Sequence, residues 1–134
     1  MALVSTNAAT GLDYRFLNFA ATLGTAATGF QNVFGTSGSI YSITILNNTG
    51  SGEAGILKLY DTTATVTPGT TVPSHCLPFT YNASSTAMST TYVFPEGLPF
   101  SSGVGVAVSK DNSPGTPAGS DLGATVTSCV IAYK

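Results

Sequence analysis

The chain has 134 residues, of which four are basic and six acidic, for a net charge of −2. Four scattered cations, Arg15, Lys58, Lys110 and Lys134, argue against electrostatic capture of a nucleic-acid backbone, which draws on about six or more phosphate contacts. No run of about 18 apolar residues is present to span a membrane as a helix. At 13.5 kDa, folding takes the accessible surface from roughly 20,000 to roughly 6,500 Å², enough burial for one core and one domain.

Residues 1–27 read as an extended N-terminal arm. Gly11, Gly24 and the following Gly29, together with many threonines, break any long amphipathic helix. The stretch Tyr14-Arg15-Phe16-Leu17-Asn18-Phe19 is therefore expected to be extended, burying its rings either on the chain's own sandwich or on a neighbouring subunit. Over residues 28–134, short apolar runs recur between turn signals, the pattern of an all-β domain. Strands are expected over Gly29–Phe34, Ser39–Asn47, Gly55–Tyr60, Ser74–Tyr81, Met88–Phe94, Gly103–Ser109 and Ala124–Tyr133, with an eighth supplied by the arm. The fold these elements predict is an antiparallel β-sandwich, jelly-roll-like, with the arm attached.

Period-two alternation assigns the faces. Tyr41, Ile43 and Ile45 share a core face, with Ser42 and Thr44 opposite. Leu57 and Leu59 point one way and Ile56, Lys58 and Tyr60 the other, so that second face is expected to be only partly wet. Val104, Val106 and Val108 form a clean apolar row backed by Gly103, Gly105, Ala107 and Ser109. A face of such small residues admits close approach by another surface. Gly103, Gly105 and Ala107 are therefore candidate assembly residues together with Tyr14, Phe16 and Phe19 of the arm; cover by the arm or by the loop after Ser109 is the alternative for that face. Pro95-Glu96-Gly97-Leu98-Pro99-Phe100 is expected to be a stiff crossover, and residues 111–121 a long polar connection.

A surface made of Ser and Thr in place of Lys and Glu costs little to desolvate, which suits assembly. The catalytic inventory is sparse. His75 is the sole histidine, and on a strand it points away from its neighbour Cys76, the wrong geometry for a nucleophilic pair. No zinc-type ligand set and no carboxylate pair suited to glycoside hydrolysis emerges. Asp111 and Asp121 do not follow a calcium-loop spacing, and Gly50, Gly52 and Gly55 mark a turn, with no lysine in phosphate-loop register. No catalytic, metal-binding or cofactor-binding residue is assigned, and an enzyme is not expected. Cys76 and Cys129 are expected as buried thiols, or as one disulfide in an oxidising compartment. The N-terminal residues lack the basic and apolar regions of a signal peptide.

The phrase Ser39-Ile40-Tyr41-Ser42-Ile43-Thr44-Ile45-Leu46-Asn47-Asn48, followed by Ile56-Leu57-Lys58-Leu59-Tyr60-Asp61, resembles small β-sandwich virion proteins of tailed bacteriophages, of the marine and cyanobacterial phage type. So does Phe94-Pro95-Glu96-Gly97-Leu98-Pro99-Phe100, leading through Ser101-Ser102-Gly103 into the valine-rich strand Val104–Val108. The resemblance runs from about residue 28 to the end. It implies a non-enzymatic accessory subunit, commonly trimeric, on the outer capsid surface. Such a subunit, assembled in the host cytoplasm, is a cement or decoration protein bound to the major capsid protein or other virion proteins, with no cofactor, nucleic acid or membrane partner. A tail or tail-fibre component with host-surface or carbohydrate recognition is the other implied role. The resemblance carries over no catalytic or receptor-binding residue.

Overall fold

The computed structural model describes residues 3–7, 11–18, 31–47, 55–66, 71–79, 88–109 and 127–134. Among them are nine strands: β1 (Leu3–Asn7), β2 (Leu12–Asn18), β3 (Gln31–Phe34), β4 (Gly38–Asn47), β5 (Gly55–Asp61), β6 (His75–Phe79), β7 (Met88–Phe100), β8 (Val104–Ser109) and β9 (Thr127–Tyr133). They form a five-stranded sheet in the order β1-β2-β9-β4-β7 and a four-stranded sheet in the order β3-β8-β5-β6. Every pairing is antiparallel. The fold is thus an all-β sandwich of two antiparallel sheets.

Alternation along each strand supplies the core between them. Leu17, Ile40, Ile43, Ile45, Cys129 and Ile131 come from the five-stranded sheet, and Leu57, Leu59, Leu77, Val104 and Val106 from the four-stranded one. Each such side chain contributes about 1.5–3 kcal/mol by leaving water. At one end of the sandwich, aromatic rings continue the core across both sheets. Phe34 stacks on Tyr133 with centroids 4.8 Å apart, Phe100 meets Phe34 edge-on at 6.4 Å, and His75 meets Phe100 edge-on at 5.6 Å. Two polar links also join the sheets. The Arg15 guanidinium donates through Nη1 to the Val33 carbonyl, and the Tyr92 hydroxyl donates to the Pro78 carbonyl.

The structure departs from the sequence expectations in three places and decides between alternatives in a fourth. Residues 12–18, open to packing on the chain's own sandwich or on a neighbouring subunit, form the second strand of the five-stranded sheet, with Leu17 buried opposite Cys129 on β9. Burial of Leu17 is the reason this segment packs on its own sandwich. Tyr41 does not share the core face with Ile43 and Ile45. The β4 register shifts between Ile40 and Ser42, and this bulge turns Ile40 and Ile43 inward together and leaves Tyr41 half-buried.

The expected crossover Pro95–Phe100 instead continues β7, with Leu98, Pro99 and Phe100 opposite Ile40, Ser39 and Gly38. Proline is tolerated there because β7 is the outermost of the described strands in its sheet, where a missing N–H breaks no ladder between them. Gly97, at φ 79°, takes the left-handed conformation that lets the strand resume pairing. Finally, the second face of β5 is dry. Ile56, Lys58 and Tyr60 are all buried, because β5 lies inside its sheet and that face too is covered within the chain.

Gly55 opens β5 directly opposite Phe79 of β6, and the Phe79 ring occupies the space a Cβ at position 55 would need. Gly55→Ala must displace a ring that is itself buried, so it is expected to cost about 1–3 kcal/mol, read as a lowered midpoint in urea unfolding at unchanged slope.

Candidate interaction surface

The outward face of the five-stranded sheet is built by three ladder rows. Phe16, Val130, Thr44 and Thr91 lie side by side across β2, β9, β4 and β7. Tyr14, Ala132, Ser42 and Val93 form the row beside it, and Ser128, Leu46 and Ser89 the third. Phe16 is 37% exposed and Val93 65%, with Leu46 and Val130 close to Phe16 in exposure. The Thr44 and Thr91 hydroxyls bond to each other at 3.1 Å. None of these three rows carries a charged side chain; exposed Glu96 lies beyond them in the irregular part of β7, and Lys134 past the end of β9. A face with apolar groups and self-satisfied hydroxyls has little to lose when water is removed from it.

The candidate assembly residues divide between two places. Tyr14 and Phe16 stand in adjacent rows of this outward face, Tyr14 half-buried and Phe16 exposed, while Phe19 lies outside the described residues. Gly103, Gly105 and Ala107 are buried within the chain, and so do not form the open surface expected of them. The reason is visible at Gly103, where a Cβ would meet the Phe34 carbonyl oxygen at 2.8 Å and the Thr62 carbonyl oxygen and Thr63 Cγ2 at 3.2 Å. The close approach that small residues allow is used by the chain itself. Gly105 and Ala107 sit opposite Tyr60 and Lys58, which fill the same buried face. Asp111 and Asp121 lie outside the described residues.

Shifted titrations mark candidate chemistry, and here each has a structural cause. Burial pushes the Cys129 thiol up to about 12 on the core face beside Ile45. Burial also raises Cys76, partly offset by the charge of Lys58 opposite it on β5. Tyr60 is pushed up to about 12 by burial and then by the nearby Cys76. Burial raises Tyr92, whose hydroxyl is engaged by Pro78. Cys76 and Cys129 are both thiols. His75 faces the core side of β6 and Cys76 the other, opposite Leu59 and Lys58 respectively. Among the described residues no group of three or more His, Cys, Asp or Glu could hold a metal ion.

Asp61 is the exception in direction, its carboxyl lowered to about 2. Hydrogen bonds from the turn between β7 and β8 are responsible. Oδ2 accepts from the Ser101 N–H at 2.9 Å and the Ser101 hydroxyl at 2.8 Å, while Oδ1 accepts from the Ser102 N–H at 2.8 Å and the Gly103 N–H at 3.4 Å. The Asp61 N–H in turn donates to the Ser74 hydroxyl at 3.0 Å. Asp61 thus staples the exit of β5 to a turn forty residues further on. This is a tie within the scaffold. No local pattern announces it, since Asp61 and Ser101 are remote in sequence. Burial of Lys58 was equally hidden, although apolar Ile56 and Tyr60 on either side of it are a signal that its face is dry.

With this geometry in view, comparison with known proteins adds no relative: no family model matches the chain, and none of the curated proteins searched matches it.

Two outcomes follow from these environments. Because the folded carboxyl of Asp61 lies below its ordinary value of 3.8, its stabilisation is complete above that pH and fades as pH falls through about 2. Asp61→Asn is expected to lose about 1 kcal/mol at pH 7, a few degrees in Tm, because its amide N–H₂ faces backbone donors; the difference from wild type is expected to shrink on acidification from pH 4 to 2. Equal melting of the two proteins at pH 7 contradicts the staple. In alkylation under non-reducing conditions, Cys129 is expected to stay unmodified until denaturant is added, after which both thiols react.

Proposed function

We propose that the chain is a non-enzymatic virion structural protein, a capsid decoration or cement subunit that docks on the major capsid protein and bridges its copies. The observation that carries this reading is the uncharged outward face of the five-stranded sheet. A lone soluble domain rarely leaves such a face four strands wide, and shell proteins offer a surface that covers it without burying an unpaired ion. At about 4.8 Å per strand and about 6.8 Å per row, the face outlines roughly 400 Å², within which Ser128 and Ala132 on β9 are buried. That is about half of what one partner contributes to an ordinary stable interface, so neighbouring elements or further copies must add to the contact.

The strand order supports the same reading. Setting β1 aside, β2-β9-β4-β7 and β3-β8-β5-β6 are two four-stranded sheets between which the chain passes back and forth, the order of a jelly roll. That architecture recurs in viral capsid and lectin domains, which is an argument from analogy of fold. The resemblance in residues 39–48, 56–61 and 94–108 favours a virion protein, of capsid or tail, and the lack of a long fibre-forming repeat in the sequence favours the capsid. A subunit of this kind works by equilibrium contacts alone. Each copy that spans two shell proteins adds its binding free energy to the work needed to separate them under the pressure of a packaged genome.

Carbohydrate recognition at a tail or tail fibre is the second reading, favoured by the same strand order. It is the weaker one, because three of the tyrosines that could make a sugar platform are engaged in packing, and Tyr14 and Tyr41 are half-buried. Tyr60 is buried, Tyr92 donates to Pro78, and Tyr133 stacks on Phe34. Tyr81 lies outside the described residues.

The test is immunogold labelling of purified virions with antibodies raised against the recombinant chain, followed by re-addition of variants to particles stripped of it. Label is expected over the capsid, and Phe16→Glu is expected to fold normally yet bind at least tenfold more weakly, because it buries a carboxylate in the neutral face. Label at tail tips supports the second reading. Unlabelled virions contradict both.

A further inference from the structure

Lys58 and Cys76 meet on the closed face of the four-stranded sheet. They are register partners on β5 and β6, so their side chains leave the sheet on the same side, with Cβ atoms about 4.5–5.5 Å apart. Lys58 is completely buried, while Cys76 is a half-buried thiol on β6, the outermost of the described strands on its side of the sheet. The other ladder neighbour of Lys58 is Ala107, and Ile56 and Tyr60 flank it along β5. The described polar group directly across the ladder from this buried amine is thus a thiol rather than a carboxylate. The charge of Lys58 acts on the Cys76 thiol against the effect of burial, which puts amine and sulfur within electrostatic reach of each other.

We propose that Cys76 and Lys58 form an oxidative crosslinking site, in which a hydroperoxide oxidises Cys76 and the Lys58 amine then closes a covalent S–N bond that fastens β6 to β5. The steps balance with hydrogen peroxide as the oxidant. The Cys76 thiolate attacks one peroxide oxygen, the O–O bond breaks, and hydroxide leaves to be protonated to water; sulfur is oxidised to a sulfenic acid and peroxide is reduced. A sulfenic acid condenses with a nearby nitrogen. The lone pair of the neutral Lys58 amine forms the N–S bond as the S–O bond breaks, and one amine hydrogen departs with the hydroxyl as a second water. The product is a sulfenamide, lighter than the starting chain by two hydrogen atoms and returned to thiol and amine by a reductant.

Geometry selects nitrogen as the trap for the oxidised sulfur. Cys129, the other thiol, lies in the core between the sheets, whereas Cys76 leaves β6 on the opposite side with Lys58, so the two thiols of one chain do not face each other. The long lysine stem gives its amine the reach to meet a sulfur directly across the ladder. Burial holds the Cys76 thiol above its ordinary range, so its thiolate is scarce and oxidation is slow. The site therefore records long exposure to oxidant. Like a disulfide, the bond closes the segment between residues 58 and 76 into a loop and takes freedom from the unfolded chain. The inference holds whichever surface the outward face of the other sheet meets.

The experiment treats the folded full chain with hydrogen peroxide in excess, quenches it, alkylates free thiols in denaturant and digests with trypsin, with and without prior reduction. The crosslink blocks cleavage at Lys58, so a fragment running from Phe16 to Lys110 is expected, lighter by two hydrogen atoms and unalkylated at Cys76. Reduction is expected to restore cleavage at Lys58 and alkylation of Cys76. The oxidised chain is expected to melt about 5 °C or more higher, reversed by reductant. Cys76→Ser and Lys58→Arg, checked for folding by circular dichroism, are expected to lose the fragment and the rise in Tm. If Lys58→Arg does not fold, the tandem mass spectrum of the wild-type fragment decides, by the presence or absence of a link between Lys58 and Cys76. Ordinary cleavage at Lys58 after oxidation, Cys76 carried to sulfinic or sulfonic acid, a disulfide between copies, or a crosslinked fragment without the rise in Tm overturns the proposal.

Discussion

The whole arrangement depends on two sheets hiding their inner aliphatic faces from water at once. Leu17, Ile43, Ile45, Cys129 and Ile131 have nowhere dry to go except against Leu57, Leu59, Val104 and Val106. With so few charged residues, there is also little ionic attraction available to hold the layers together. Shape and burial must therefore do it, and the links that fasten the margins are hydrogen bonds and ring contacts: Arg15 to Val33, Tyr92 to Pro78, Phe34 to Tyr133, and the Asp61 staple. The same constraint fixes the N-terminal hairpin. Once Leu17 is required in the core, β2 must lie beside β9, and β1 follows as the outermost strand.

That placement divides the exterior into unlike regions. The second face of the four-stranded sheet is closed within the chain, with Lys58, Tyr60 and Ala107 buried there. The outward face of the five-stranded sheet keeps Phe16, Leu46, Val93 and Val130 in contact with solvent. The proposed role in a virion rests on the second region, because an uncharged exterior is what protein cover can replace at least cost. A capsid offers such cover over many identical sites. Burial drives the Cys129 thiol and the Tyr60 hydroxyl away from ionisation at neutral pH.

Much of the fold was legible in local alternation. The rows Ile43/Ile45, Leu57/Leu59 and Val104/Val106 announce strands and their core sides, because period two is written into consecutive residues. What escaped local reading was decided by distant neighbours. Whether Pro95 and Pro99 end a strand depends on whether another strand lies beyond, and β7 is the outermost described strand of its sheet. Which side Tyr41 takes depends on a bulge that only the pairing of β4 with β7 and β9 reveals. Gly103, Gly105 and Ala107 correctly signalled close approach, but sequence does not say whether the approaching surface belongs to the same chain. At Gly103 it does, through Phe34, Thr62 and Thr63. Phe16 was legible as an exposed candidate, whereas its continuity with Val130, Leu46 and Val93 required the order of four strands.

The central claim, that the neutral outward face is covered by protein in the native assembly, is tested most directly by hydroxyl-radical footprinting with mass spectrometry, comparing the free chain with the chain in purified particles. Phe16, Leu46, Val93 and Val130 are expected to oxidise readily when free and to be protected in the particle, while exposed Val72, outside this face, reports the dose in both. Equal oxidation of those four residues in the two states, at matched Val72 oxidation, would contradict the account.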